Sequence, residues 1–141
     1  MKAEYLLYAK QTLEEGNYTC VLYDGETKIT SKKRGVAPLL EWVEEGRNFE
    51  NFVSADKVIG KAAAFLYVLL HIGEVYAGVI SKSAAQVFQT YGVNFTYDVM
   101  AERIINRAGT GFCPMEEATK DIERPEEALT AIKKKIIELN K

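Results

Sequence analysis

Histidine and cysteine are scarce in this chain of 141 residues, which contains one histidine and two cysteines. Cys20 and Cys113 lie far apart in the sequence, and no pair among these residues has the spacing of zinc ligands. A zinc site needs three or four protein ligands. The composition therefore predicts a protein with no bound zinc, and no motif for another cofactor is present.

Long apolar segments and a strong excess of charge are also missing. The apolar run over residues 62–72 is too short to span a membrane. A net charge of -2 does not suggest general affinity for nucleic acid. The amphipathic N-terminal segment has no signal-peptide pattern, so we expect a cytoplasmic protein with reduced thiols. Neither a membrane nor a nucleic acid is an expected partner.

Hydrophobic periodicity and turn residues predict one domain over residues 1–141. Predicted helices cover residues 3–15, 37–45, 55–71, 81–91, 98–107, 114–121 and 125–139, and predicted strands cover residues 18–23, 26–31, 74–80 and 93–97. Asp24-Gly25 is a strong hairpin signal between the first two strands. This order predicts an α/β protein of three α-β-α layers, with a mixed sheet that includes an N-terminal hairpin.

The helix over residues 55–71 is predicted to be the buried central helix, with Ser54 as its cap. Gly60 is unusual in this place, because a glycine inside a helix costs about 1 kcal/mol relative to alanine. A neighbouring backbone or a ligand should therefore come close to Gly60, and backbone packing is the commoner cause.

A thiol lies at the predicted start of a short helix. Pro114 suits a first helical turn, which places Cys113 at or beside the N-cap. Backbone N–H groups there have no partner and the helix dipole favours negative charge, conditions that favour a reactive thiolate. Cys20, within a strand, is predicted to be a packed and inert thiol.

Polar residues from three stretches are candidates to share a ligand pocket with Cys113. They are Asp56, Lys57, Lys61, Asn106, Arg107, Gly109, Thr110 and Gly111. Each also has a purely structural interpretation. The acid suits a helix N-terminus, the lysines suit an exposed helix face, the arginine suits a helix C-terminus, and the glycines suit a loop turn.

Four blocks of sequence resemble the family called domain of unknown function 1893 (DUF1893). They read KRGVAPLL at 33–40, ADKVIGKAAA at 55–64, INR at 105–107 and GTGFCPME at 109–116. The resemblance covers nearly the whole chain and implies a cytidine-deaminase-like fold with no established biochemistry.

Zinc deaminases carry a His-x-Glu motif and a Pro-Cys-x-x-Cys motif at the starts of two helices. Around Gly60 the chain has neither histidine nor glutamate, and near Cys113 it keeps one thiol with the Pro-Cys order reversed. His71 lies more than two helical turns too late to replace the missing ligand. The sequence therefore predicts the deaminase scaffold without zinc deaminase activity.

Three functions remain open from the sequence. The first is a module that binds a small anionic metabolite or nucleotide at residues 109–111, Cys113 and Lys61. The second is a cysteine-dependent enzyme or sulfur carrier that uses Cys113, by analogy with formate dehydrogenase accessory proteins, which look similar in fold. The absence of a Cys-x-x-Cys motif weakens this second function. The third is a structural or regulatory homo-oligomer with an empty pocket.

Overall fold

The computed structural model of the chain describes residues 2–33, 35–104 and 113–140. Candidate residues Asn106, Arg107, Gly109, Thr110 and Gly111 lie outside these ranges. In chain order the described elements are α1 (Lys2–Glu15), β1 (Cys20–Tyr23), β2 (Lys28–Ser31), α2 (Ala37–Glu44), β3 (Val53–Ile59), α3 (Lys61–Leu69), β4 (Glu74–Ser81), α4 (Lys82–Tyr91), β5 (Asn94–Ala101), α5 (Pro114–Thr119) and α6 (Pro125–Leu139).

The described strands form one five-stranded mixed sheet in the order β2-β1-β3-β4-β5. β1 is antiparallel to both β2 and β3, whereas β3, β4 and β5 run parallel to one another. In the turn of the N-terminal hairpin, Asp24 Oδ1 accepts hydrogen bonds from the N–H groups of Glu26 and Thr27. Gly25 has a φ of 99°, which favours glycine there. The predicted α/β class, mixed sheet and hairpin are confirmed.

The two faces of the sheet are covered unequally. Val21 on β1 belongs to the apolar cluster under α1, whereas its neighbours Cys20 and Leu22 belong to a larger cluster with α3, α4 and α6. Successive strand residues point to opposite faces, so the two clusters lie on opposite sides of the sheet. The described residues therefore form three layers, and α1 is the only described helix on its side of the sheet.

The predicted helix over residues 55–71 is wrong in its first half. Residues 53–59 form β3, which pairs with β1 on one side and β4 on the other. Val53 and Ala55 pack under α1, while Ser54 and Asp56 face α3, a period of two that belongs to a strand. Gly60 is the N-cap of α3 rather than a residue inside a helix.

The helix predicted over residues 98–107 is also wrong as far as the structure describes it, because β5 continues to Ala101 and residues 102–104 are not helical. Asp98 lies inside this strand, and its Oδ2 accepts a hydrogen bond from the hydroxyl of Tyr76 on β4. The other predicted helices and strands occur near their expected positions. None of the helices that the structure describes has both the length and the hydropathy that a membrane span requires.

Candidate functional site

The carboxyl ends of the three parallel strands meet at one edge of the sheet, where α3 and α4 begin. Ser81 ends β4 and caps α4, because its Oγ accepts a hydrogen bond from the N–H of Ala84 at 3.1 Å. Gly60 precedes α3 but has no side chain to cap it. The N-terminus of α3 therefore needs a partner from elsewhere in the chain.

Glu116 on α5 supplies that partner. Its Oε1 accepts a hydrogen bond from the N–H of Lys61 at 2.7 Å and another from the hydroxyl of Ser81 at 3.4 Å. One carboxylate thus links the first residue of α3 to the cap of α4. A negative charge is favourable at both helix N-termini, since the helix dipoles are positive there.

Gly60 makes this approach possible. A Cβ at position 60 would lie 2.1 Å from Glu116 Oε1, so any larger residue would force the carboxylate to move. Partial burial raises the pKa of Glu116, although the hydrogen bonds from Lys61 N and Ser81 oppose that effect. The predicted close approach at Gly60 occurs, although Gly60 lies before the helix and the nearest protein atoms belong to the side chains of Glu116 and Ile104 rather than to a backbone.

A small pocket of about 180 Å³ opens beside Glu116. We call it the charged pocket, and its lining residues are Lys61, Ser83, Arg103, Glu116, Glu117 and Lys120. Lys61, Ser83 and Arg103 each follow the carboxyl end of one of the three parallel strands. This edge is where open α/β sheets generally bind ligands.

The charges that line the pocket are only partly neutralised by the protein. Lys61 Nζ donates to the carbonyl oxygen of Lys120 at 2.9 Å, which ties α3 to the end of α5. The Lys120 ammonium and the Glu117 carboxylate have no hydrogen bond or ion pair within residues 2–33, 35–104 and 113–140. Both charges are exposed and available to a solute.

The structure separates the candidate residues predicted from the sequence. Lys61 lies in the charged pocket. Cys113 is partly exposed at the N-cap of α5, as predicted, and its N–H donates to the carbonyl of Ile104. Lys57 instead lies in β3, where its Nζ donates to Asn17 Oδ1. Asp56 is buried elsewhere, so neither Asp56 nor Lys57 lines the pocket.

Asp56 belongs to a buried polar group that we call the Tyr67 cluster, formed by Cys20, Ser54, Asp56 and Tyr67. The Tyr67 hydroxyl donates to Asp56 Oδ2 at 2.7 Å and lies 2.7 Å from Ser54 Oγ and 3.3 Å from Cys20 Sγ. Burial raises the pKa of Asp56 to about 7. Burial also raises the pKa of the Cys20 thiol far above its ordinary value, which supports its prediction as inert.

Sequence reasoning missed most of the residues that line the pocket. Glu116 stood in the GTGFCPME block but carried no signal, because its contact with Lys61 spans 55 residues. Arg103 was missed because it fell within the helix wrongly predicted over residues 98–107, whereas in the structure it follows the end of β5. A better signal would have been the polar residue that follows each of the three parallel strands.

A metal centre has no support among the residues that the structure describes. No group of three or more histidine, cysteine, aspartate or glutamate side chains is placed there to hold a metal ion. His71, which follows α3, is exposed and has a φ of 59°. The prediction that the protein binds no zinc remains a prediction.

Fold and site together define a three-layer α/β protein with a charged pocket at the carboxyl ends of its parallel strands. A family model described as a domain of unknown function (DUF1893) matches residues 8–136. The chain belongs to the DUF1893 family, which confirms the resemblance seen in the sequence.

A solved relative has the same architecture. The crystal structure of a DUF1893 family protein (TM1506) from Thermotoga maritima superposes with a TM-score of 0.89 at 28% sequence identity. The match covers 96% of this chain and 92% of that chain. No curated protein matches the chain significantly.

Proposed function

We propose that this protein is a binding module for a small anionic metabolite and that the charged pocket is its site. The observation that carries the proposal is the lining, where Lys61, Arg103 and Lys120 surround one small cavity. Since Glu116 and Glu117 are the acids of the lining, its net charge is positive when all five groups are ionised. The chain as a whole carries a net charge of -2.

A positive cavity on a negative protein attracts anions to one place. The N–H of Lys61 is already bonded to Glu116, and the start of α4 is capped by Ser81. An incoming anion therefore meets the ammonium and guanidinium groups rather than the amides of the two helix N-termini.

Titration calorimetry with inorganic phosphate, ethyl phosphate and glutarate tests this function. Lys120→Ala removes an exposed ammonium that has no partner in the described part of the chain, and it should weaken binding about fivefold, which corresponds to about 1 kcal/mol. Lys134→Ala is the matched control, because Lys134 is exposed on α6 and does not line the pocket. Absence of saturable binding by all three anions would refute the proposal, as would equal losses in the two variants.

We also propose that the scaffold is cytidine-deaminase-like but has no zinc deaminase activity. In zinc deaminases the metal ligands belong to His-x-Glu and Pro-Cys-x-x-Cys motifs. Here α3 opens with Lys61-Ala62-Ala63, which contains no histidine or glutamate, and α5 opens with the single thiol of Cys113 in the reversed order Cys113-Pro114. We expect no stoichiometric zinc and no deamination of cytidine, adenosine or guanine. About one zinc per chain that is lost on Cys113→Ser would contradict this.

A cysteine-dependent reaction is the second candidate. It is favoured by the partial exposure of Cys113 at the N-cap of α5, the helix that also carries Glu116 and Glu117 into the pocket. A binding module should keep its anion affinity in Cys113→Ser, whereas a sulfur carrier should lose covalent transfer completely. A covalent adduct on Cys113 detected by mass spectrometry after exposure to a persulfide donor would favour the second candidate.

A structural or regulatory homo-oligomer is the remaining alternative. Tyr97, Val99 and Met100 on β5, an edge strand of the described sheet, are exposed. Exposed apolar side chains on a sheet edge are a common feature of surfaces that pair with another chain. Sedimentation that shows only a monomer-sized species at high concentration would remove this alternative.

A further inference from the structure

The charged pocket carries unneutralised charges of both signs. Glu117 and Lys120 lie three residues apart at α5 and both line the cavity, yet they form no ion pair with each other or with any other described residue. Glu116, by contrast, is already held by the N–H of Lys61 and the hydroxyl of Ser81. Glu117 is thus the exposed carboxylate of a lining that also contains the cations Lys61, Arg103 and Lys120.

The size of the pocket limits what can enter it. A volume of about 180 Å³ lies below the roughly 300–1,000 Å³ of pockets that enclose drug-sized ligands. A nucleotide exceeds this space, whereas a molecule of about ten heavy atoms fits it. The ligand should therefore be as small as an amino acid.

We propose that the ligand is a small zwitterion with one ammonium group and acidic groups that give it a net negative charge. This inference rests on the proposed anion site. The acidic groups, carboxylate or phosphate, bind to Lys61, Arg103 and Lys120, and the ammonium binds to the Glu117 carboxylate. Such a ligand neutralises the charges of both signs, which a simple anion cannot do.

Matched pairs of ligands test the inference, because simple charge attraction predicts the opposite order. Glutamate is compared with glutarate, and O-phosphoethanolamine is compared with ethyl phosphate, by titration calorimetry. In each pair the compound without the ammonium is the more negative one, so a site for simple anions should bind it more tightly. The inference predicts at least tenfold tighter binding of the zwitterion in one of the pairs. The preferred pair identifies carboxylate or phosphate as the acidic group.

Glu117→Gln should abolish that preference and raise the affinity for the ammonium-free compound, because it removes a negative charge from the lining. Glu50→Gln is the matched control, since Glu50 is exposed and lies outside the pocket lining. If the wild type binds glutarate and ethyl phosphate as tightly as their zwitterionic partners, or more tightly, the proposal of a zwitterionic ligand is refuted but the proposal of an anion site is not. A preference that survives in Glu117→Gln would also overturn the zwitterionic ligand. Failure of all four compounds to bind would refute the anion site itself.

Discussion

Replacing Asp56 with asparagine should remove a large pH dependence from the free energy of unfolding. Asp56 is only 9% exposed, and its Oδ2 accepts a hydrogen bond from the hydroxyl of Tyr67 at 2.7 Å. Burial raises its pKa from 3.8 to about 7, and hydrogen bonds from Tyr67 and the N–H of Val58 oppose the shift only in part. The folded state therefore favours the neutral carboxyl.

The sign and size of the effect follow from this difference between the folded and unfolded states. Since the folded pKa is the higher one, the contribution to stability is complete below an unfolded pKa of 3.8 and is lost as the pH rises through about 7. A difference of about three pKa units corresponds to about 4 kcal/mol. Whole domains are stable by only about 5–15 kcal/mol, so this loss is large.

Urea unfolding followed by circular dichroism between about pH 5 and about pH 8 measures the effect. The free energy of unfolding of the wild type should fall as the pH rises over this range. That of Asp56→Asn should fall much less, so the variant should be the more stable protein at the alkaline end. The difference between the two curves isolates Asp56 from other groups such as Glu116. Asp121→Asn, an exposed control, should follow the wild type. Parallel curves for wild type and Asp56→Asn would refute the reasoning.

Three further predictions concern the buried cluster, the start of α3 and the thiols. Tyr67→Phe removes a hydroxyl on which three buried polar groups converge and should lower the free energy of unfolding by about 1–3 kcal/mol in urea; unchanged stability would contradict the cluster. Gly60→Ala should displace the carboxylate of Glu116 and cost about 1 kcal/mol, and a double-mutant cycle with Glu116→Ala should show that the two losses do not add; additive losses would refute the contact. Iodoacetamide should modify Cys113 in the folded protein and Cys20 only after unfolding, as measured by mass spectrometry. Modification of Cys20 in the folded protein would contradict its burial.

The local signals of the sequence were sufficient for much of the fold. The Asp24-Gly25 turn and the helices over residues 81–91 and 125–139 depend on signals from neighbouring residues, and the structure confirms them. The prediction of a helix that includes residues 55–59 was wrong for a different reason. Ser54 and Asp56 resemble helix caps locally, but hydrogen bonds to β1 and β4 on either side make the segment a strand.

The site was only partly predictable for the same physical reason. The predictions that Lys61 is a pocket residue and that Cys113 is an N-cap each came from a short stretch of neighbouring residues, and the structure agrees with both positions. The role of Glu116 depends on a hydrogen bond to a helix that begins 55 residues earlier, and the gap it fills exists because Gly60 lacks a side chain. Nothing in the local pattern around Glu116 distinguishes it from an ordinary exposed acid of a first helical turn.

Backbone amide NMR during a titration with ethyl phosphate is the most direct test of the proposed anion site. We predict saturable chemical-shift changes that are largest at three pocket residues, Lys61, Ser83 and Lys120, which follow β3, β4 and α5 respectively. The same titration of Lys120→Ala should saturate at a concentration about fivefold higher. Shifts that grow without saturation, or that are largest on α1 or α6, would contradict the assignment of the charged pocket as the binding site.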